Sequence, residues 1–309
     1  MSKFKEKFTD PYEIFELEFI NPIKKRLGLE SRNFVFIPGN HDIDENEVLM
    51  VDEKNLESVE QSGRINSILE FTRDVSIKKY NDRIKKFKDF EERFHKEDIK
   101  NSYKFTRNQS TYIYDYEGLK IGFALINDSW RCSSWLGKYH DKKLYFGSKQ
   151  LKEALKLLKD TTMNIILTHH PIESYQEAEE VREIITRKDF HLHLYGDQHH
   201  HSLQQLTSAS SGCFGIMARA ALNNPHETES KWQPGFHFID IDFENSVVEL
   251  IAYYKFFNTR AEFDTDNEIA AGGKDETKHK LAFEAVKKET VQVQEDDDDD
   301  EILANYYNP

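Results

Sequence analysis

The chain has 309 residues, of which 38% are hydrophobic and 32% are charged, and its formal net charge is -14. Its 22 Phe and 14 Tyr residues indicate a packed core, so the composition excludes a chain that is disordered throughout. The seven acidic residues of EDDDDDE, residues 295–301, account for half of the net charge. The remainder is mildly acidic and neither requires nor excludes a nucleic-acid partner.

Cysteine content and hydropathy predict the compartment. Cys132 and Cys213 are too few for a disulfide framework and lack a C-x-x-C neighbour, which favours a reducing environment. No apolar run approaches the roughly 20 residues that a membrane-spanning helix needs, and the N-terminal residues lack the apolar segment of a signal peptide. We therefore expect a cytoplasmic protein with no membrane partner.

The first hundred residues predict mostly helix. Apolar side chains at helical spacing over residues 11–28 indicate an amphipathic helix that Pro22 disturbs. NFVFIPGN, residues 33–40, predicts a short strand that ends at a Pro-Gly turn. Residues 54–100 predict a charged helical insertion. Its basic residues, mostly within 78–88, fit either a solvated helix face or a lid that attracts a phosphate-bearing substrate.

Strands and helices alternate through the middle of the chain. The predicted elements are a hairpin over 111–128 that turns at Glu117-Gly118, a helix over 147–160 with Ser148 as N-cap, strands over 163–170 and 191–197, a helix over 175–187, and strands over 236–243 and 247–256. This order of helices and strands, with a terminal hairpin, predicts a layered α/β or α+β domain.

We place that domain at residues 1–262. Residues 263–309 are interpreted as a largely disordered appendage, with a charged helix near 276–289 before the acidic run. The acidic run fits a solubilising tail. It also fits a peptide that docks on a protein partner, because Ile302, Leu303, Tyr306 and Tyr307 would give it apolar anchors.

Three predicted strands end in side chains that can bind a metal ion. Asn40, His41 and Asp42 follow the first strand, His169 and His170 follow the second, and the third is followed by Asp197, His199, His200 and His201. Each cluster alone would fit ordinary surface or core histidines. Because ligands bind at the carboxyl ends of strands in layered α/β proteins, the three clusters together predict one metal site.

These residues resemble a known family. GNHD (39–42), THHP (168–171) and YGDQHHH (195–201) look like the third, fourth and fifth sequence blocks of the calcineurin-like metallophosphoesterases, and FALINDSW (123–130) is similar to a strand between those blocks. The resemblance spans about residues 11–256. It implies a four-layer α-β-β-α sandwich, here incomplete and with a helical insertion, and a two-metal centre that hydrolyses phosphate esters.

The resemblance also implies roles for individual residues. Asn40 and His169 would bind the second metal ion, and His199 would bind the first. His41 would be catalytic, protonating the leaving oxygen or stabilising the transition state, and Asp42 would orient His41 through a hydrogen bond. Nitrogen and oxygen ligands favour manganese, or alternatively iron or zinc, over calcium, with two ions in a complete site.

Two departures from the family pattern matter. Asp197 stands where the family has the first histidine of Gly-His-x-His, so a carboxylate would bind the metal, unless His201 compensates. The Asp-x-His and Gly-Asp blocks do not occur before Gly39, so we expect an N-terminally truncated member. A fragment of a longer enzyme is the interpretation that we favour. A degenerate, non-catalytic relative and a partner chain that supplies the missing strands are the alternatives.

Two functions follow from these patterns. The first is metal-dependent hydrolysis of phosphate esters by a phosphodiesterase or nuclease-like hydrolase, impaired here because the N-terminal ligands are missing. Trp130, Arg131 and the basic residues 78–88 could then contact a nucleotide, although Trp130 fits a core aromatic equally well. The second is a non-catalytic binding or regulatory module on a degenerate phosphoesterase scaffold. A mononuclear zinc hydrolase that uses His169, His199 and a carboxylate is a less favoured third possibility.

Overall fold

The computed structural model describes residues 10–61, 66, 82–99, 102–133, 144–187, 190–198, 202–207, 212–221, 229, 232–243, 247–258, 260 and 262–280. The α-helices are α1 (Pro11–Phe15), α2 (Asn21–Leu27), α3 (Met50–Gln61), α4 (Lys85–Phe94), α5 (Lys149–Leu157) and α6 (Ala178–Arg187). None of the helices in these ranges has the length and apolar character to span a bilayer.

The strands form two sheets. They are β1 (Tyr103–Lys104), β2 (Ser110–Tyr116), β3 (Leu119–Leu125), β4 (Met163–Leu167), β5 (Leu192–Tyr195), β6 (Ser202–Thr207), β7 (Gly212–Met217), β8 (Gly235–Asp242), β9 (Val247–Phe257), β10 (Phe263–Thr265) and β11 (Lys274–Lys280). Seven of them form a sheet in the order β1-β2-β3-β4-β5-β7-β6. Strands β3, β4, β5 and β7 run parallel to one another, so their carboxyl ends lie at the same edge.

The predicted hairpin is confirmed. Strands β2 and β3 pair antiparallel along their whole length, with Ser110 opposite Leu125 and Tyr116 opposite Leu119. Glu117 and Gly118 form the turn with φ angles of 52° and 84°. Both angles lie in the left-handed region that two-residue hairpin turns require, which explains the glycine.

Helices and the second sheet cover opposite faces of the seven-stranded sheet. Leu151 and Ala154 of α5 and Val181 and Ile185 of α6 are fully buried in one core cluster. On the other face, Ile165 and Ile216 belong to a cluster with Leu250, Ala252 and Tyr254 of β9. This arrangement is the predicted mixed α/β sandwich. Phe236, Phe238 and Phe263 in the second sheet are exposed, so the described residues form three layers of the expected four.

The second sheet includes residues that we had predicted to lie outside the domain. β10 and β11 both pair with β9, opposite β8. The predicted boundary at residue 262 is therefore too early, and the helix predicted near 276–289 is wrong over its first residues. The charged residues of KDETKHK suit an edge strand such as β11, because charged side chains discourage further strand pairing. Residues 281–309, with the acidic run, lie outside the described residues.

The first helix continues past Pro22. A π-helical turn, Glu16–Ile20, joins α1 to α2. Proline lacks a backbone N–H, and its ring would crowd the carbonyl of Glu18 in a regular α-helix. The wider π-helical turn accommodates this, so Pro22 changes the helix locally and does not end it.

Residues 34–39 are extended, but they do not form the predicted strand. Ile37 packs against the core cluster that contains Tyr112, and the ring centroids of Phe36 and Phe90 are 5.1 Å apart. Side-chain packing on both sides, rather than a ladder of backbone hydrogen bonds, holds this stretch in place. It leads the chain directly into the turn at residue 40.

The predicted insertion over residues 54–100 contains most of α3 and all of α4, and residues 62–65 and 67–81 lie outside the described part. The basic side chains of α4 are paired with acidic ones. The pairs are Lys85 with Asp89, Lys86 with Asp44 at 2.7 Å, and Lys88 with Glu91. Lys85 and Lys86 are exposed and the pair of Lys88 is buried, so α4 fits an amphipathic helix with one solvated face better than a phosphate-attracting lid. Lys78 and Lys79 lie outside the described residues.

Candidate metal centre

Residues from all three predicted metal-binding clusters meet at one edge of the seven-stranded sheet. His169 and His170 follow β4, and Asp197 follows the adjacent parallel strand β5. Asn40 lies in a short 3₁₀ turn, Asn40–Asp42, that reaches the same edge from residues 34–39. The parallel order of the strands explains the convergence, because it places the loops after β4 and β5 side by side.

The distances between donor atoms suit a metal ion. Nε2 of His169 lies 3.2 Å from Oδ1 of Asn40 and 3.6 Å from Oδ1 of Asp197, and Nε2 of His170 lies 4.0 Å from the same Asp197 oxygen. One donor atom each from His169, His170 and Asp197 lie within 4.8 Å of one another. Ligand atoms that each lie about 2.0–2.2 Å from one cation are separated from one another by distances like these. The residues present therefore fit a divalent ion.

A local backbone feature helps to position the Asp197 carboxylate. Asp197 has a φ angle of 71°, in the left-handed region that non-glycine residues seldom adopt. The adjacent Gly196 N–H donates to the His169 carbonyl at 2.9 Å, which ties the two loops together. Such conformations persist where the surrounding structure holds them and are frequent at functional sites.

Asp128 is a site residue that the motif comparison missed. It is fully buried three residues after β3, and it accepts hydrogen bonds from the backbone N–H of His169 at 2.9 Å and of His170 at 2.8 Å. Nδ1 of His170 lies 2.9 Å from the same carboxylate, and the Tyr175 hydroxyl donates to it at 2.6 Å. The signal was present in FALINDSW, because Asp128 also follows an apolar strand.

Electrostatics distinguish the two adjacent histidines. Burial, together with the neighbouring charge of His170, lowers the pKa of His169, which favours its neutral form. Burial also opposes a proton on His170, but hydrogen bonds to Asp128 and Cys132 outweigh it and raise the pKa of His170 to about 10. A cation that binds Nε2 of His170 must therefore displace a proton.

The ionised state of Asp128 follows from its partners. Burial alone would raise the pKa of Asp128. The hydrogen bond and positive charge of His170 and the hydroxyl of Tyr175 outweigh burial, so the pKa lies below its ordinary value. The carboxylate and the imidazolium stabilise each other inside the protein.

Asp42 forms hydrogen bonds with Tyr12 and Gly39 rather than with His41, its predicted partner. Its Oδ1 accepts from the Tyr12 hydroxyl at 2.6 Å, and its Oδ2 accepts from the Gly39 N–H at 2.7 Å. Both oxygens therefore stabilise the turn, and no hydrogen bond to His41 is found among the described residues. His41 is exposed on that turn. The predicted ligand His199 lies outside the described residues, as do His200 and His201.

Trp130 and Arg131 do not face a substrate. Trp130 is 3% exposed, and its Nε1 donates to the Phe146 carbonyl at 3.2 Å. Arg131 is 1% exposed and forms a buried ion pair with Glu53, which also pairs with Arg83. The prediction that these two residues contact a nucleotide is therefore wrong, because burial against α3 and the sheet makes both unavailable.

Comparison with known proteins identifies the family. The family described as calcineurin-like phosphoesterase matches residues 8–201, more than half of the chain. The chain therefore belongs to the calcineurin-like phosphoesterase family, which confirms the resemblance. Members of this family are described as phosphoesterases.

Two individual proteins are similar to this chain. An uncharacterized metallophosphoesterase-like protein YydB of Bacillus subtilis (strain 168) is 24% identical over 309 residues. That match covers 95% of this chain and 58% of the relative, so the chain spans less than two thirds of the relative's length. A crystal structure of a Vps29 single mutant from Entamoeba histolytica matches 47% of this chain and 87% of its own, with 12% identity and a TM-score of 0.19.

Proposed function

We propose that this protein hydrolyses phosphate esters with divalent metal ions, as a phosphodiesterase or nuclease-like hydrolase that acts on a nucleotide or a nucleic acid. The observation that supports the proposal is the convergence of His169, His170 and Asp197, whose donor atoms lie within 4.8 Å of one another. Two imidazoles and a carboxylate combine the ligand types of zinc, iron and manganese. We propose manganese first, with iron and zinc as alternatives, in a cytoplasmic protein.

Each residue would contribute differently. Nε2 of His169, Nε2 of His170 and a carboxylate oxygen of Asp197 would hold the ion, and the amide oxygen of Asn40 would add a further ligand. A bound divalent cation supplies Lewis acidity toward a phosphoryl oxygen. His41, exposed on the turn that Asp42 stabilises, would donate a proton to the leaving oxygen of the ester.

One observation favours a second function. Two-metal hydrolysis needs a second ion about 3.5–4 Å from the first, with its own ligands. Over the described residues, one group of three or more metal-competent side chains is found. The alternative is therefore a non-catalytic binding or regulatory module that keeps one metal ion, with a protein partner docked on the acidic run 295–301.

Hydrolysis of bis(p-nitrophenyl) phosphate by the metal-stripped chain, with manganese added back, tests the proposal. We expect manganese-dependent turnover that Asp197→Asn lowers by roughly 100-fold, because the amide replaces a charged ligand with a neutral one. Asp160→Asn is the matched control, since Asp160 is a carboxylate three residues after α5 whose side chain is 79% exposed. It should retain the activity of the unmodified chain.

The outcomes separate the two functions. Turnover that survives Asp197→Asn would contradict the proposed site. Metal binding without turnover in manganese, iron or zinc would overturn the hydrolase and support the module. Metal binding is measured separately by calorimetry, so a chain that binds no ion is distinguished from one that binds an ion and is inactive.

A further inference from the structure

Asp128 is a buried carboxylate that contacts both histidines of the candidate metal centre. It is fully buried, and four donors surround it: two consecutive backbone N–H groups, one imidazole nitrogen and one phenol hydroxyl. Two of these donors are the amides of His169 and His170, the histidines of the candidate metal centre. One carboxylate thus contacts the backbone of both histidines and the side chain of one.

The contacts determine which nitrogen of His170 carries a fixed hydrogen. An ionised carboxylate only accepts hydrogen bonds, so Nδ1 of His170, 2.9 Å from Asp128, must be the donor. This holds whether the imidazole is neutral or protonated. Nε2 is therefore the nitrogen that is able to exchange a proton for a metal ion.

The same contacts determine where Nε2 lies. It is 4.0 Å from Oδ1 of Asp197 and 3.7 Å from Sγ of Cys132, inside the candidate centre. His170 itself is 4% exposed, so it has little freedom to turn elsewhere. The backbone hydrogen bonds to His169 and His170 hold the loop after β4, and thereby the position of the more exposed His169.

We propose that Asp128 is the positioning residue of the metal centre: it presents Nε2 of His170 as a metal ligand and holds the loop that carries His169. The inference rests on the metal site of the proposed function and not on hydrolysis. Carboxylates that accept the second N–H of a ligating histidine raise the affinity of a site, and their loss typically costs 10–100-fold in metal affinity.

Isothermal titration calorimetry of the full chain with manganese tests this inference. We expect Asp128→Asn to weaken manganese binding by about 10–100-fold, because the amide presents N–H hydrogens where the histidine donors need an acceptor. Asp266→Asn is the matched control, since Asp266 is an equally buried carboxylate that pairs with Arg219 outside the site. It should reduce thermal stability and leave the manganese affinity unchanged.

Two further measurements keep the inference testable if Asp128→Asn does not fold. Tyr175→Phe removes one of the four donors and leaves the imidazole pair intact, so the affinity should change by less than about threefold. Nitrogen NMR of the unmodified chain with zinc, assigned with His170→Gln, should show hydrogen on Nδ1 and the metal on Nε2. Hydrogen on Nε2 with zinc bound to the chain would overturn the inference, as would unchanged affinity in a folded Asp128→Asn variant.

These measurements need no substrate. A chain that binds manganese through His170 but does not hydrolyse the diester would overturn the proposed hydrolysis and leave the role of Asp128 intact. If the unmodified chain hydrolyses the diester and the Asp128→Asn variant binds manganese with unchanged affinity, the role of Asp128 would be overturned. The proposed hydrolysis would then stand.

Discussion

Gly39 illustrates how a residue without a side chain shapes the candidate centre. A Cβ atom at this position would lie 3.0 Å from Cε1 and 3.2 Å from Nδ1 of His169. The φ angle of Gly39 is -100°, so backbone strain does not explain the glycine. The absence of a side chain lets the imidazole lie directly against the backbone, which brings His169 within reach of Asn40.

Gly39→Ala should therefore weaken metal binding rather than unfold the protein. A methyl group at these distances displaces the His169 ring by a few tenths of an ångström, and we expect manganese affinity to fall by roughly 3–10-fold. Gly196→Ala is the control, because its Cβ would meet only the His169 carbonyl oxygen at 3.8 Å, an ordinary contact. Calorimetry checks both variants, and equal affinities would contradict the steric role.

At the scale of elements, one buried ion pair links the two sheets in addition to the apolar cluster that they share. Arg219 follows β7 of the seven-stranded sheet, and Asp266 follows β10 of the four-stranded sheet. Nη2 and Nε of the arginine lie 2.6 Å and 2.9 Å from Oδ2 of the carboxylate. Both side chains are at most 2% exposed, so the pair is shielded from solvent and salt.

Removing the carboxylate should destabilise the protein strongly. Asp266→Ala leaves the Arg219 charge buried without its carboxylate, and we expect the free energy of unfolding to fall by about 3–5 kcal/mol. Asp264→Ala, two residues away, removes an exposed carboxylate 3.8 Å from Arg260, and should cost less than about 1 kcal/mol. Urea unfolding of the two variants measures the difference, and equal losses would show that β10 is only loosely attached.

Sequence periodicity predicted some elements better than others. The hairpin β2–β3 and the helices α5 and α6 have regular apolar spacing, and their bounds agree with prediction to within a few residues. The predicted N-cap Ser148 makes no capping hydrogen bond and instead donates to Glu180 at 2.8 Å. Strand β7, GCFGIM, was missed because two glycines weaken its strand signal, although β5 and β6 pair with it.

For the whole molecule, a buried histidine makes stability depend on pH. His193 in β5 is fully buried, with Nε2 2.8 Å from the Thr168 hydroxyl, and burial lowers its pKa from 6.5 to about 4. Below pH 6.5 the unfolded chain gains a proton at this site and the folded chain does not. Stability due to His193 is therefore complete above pH 6.5 and decreases until the pH reaches about 4.

The expected loss between those pH values is about 3 kcal/mol, at 1.36 kcal/mol for each pH unit. Urea unfolding of the metal-free chain and of His193→Gln across this range checks the prediction. The variant should lose less stability than the unmodified chain as the pH falls, because glutamine does not titrate. Parallel losses in both chains would assign the acid sensitivity to other groups, since burial also lowers the pKa of His95.

The sequence by itself determined the family and the α/β class, and it indicated most of the candidate metal-binding side chains that converge at the sheet edge. Motifs such as GNHD and THHP, and apolar periodicity, are properties of residues that are close together along the chain. Three findings required the tertiary structure: the contacts of Asp128 with His169 and His170, the burial of Trp130 and Arg131, and the place of residues 263–280 in the second sheet. Each depends on contacts between distant segments, whose burial and pairing local sequence patterns do not encode.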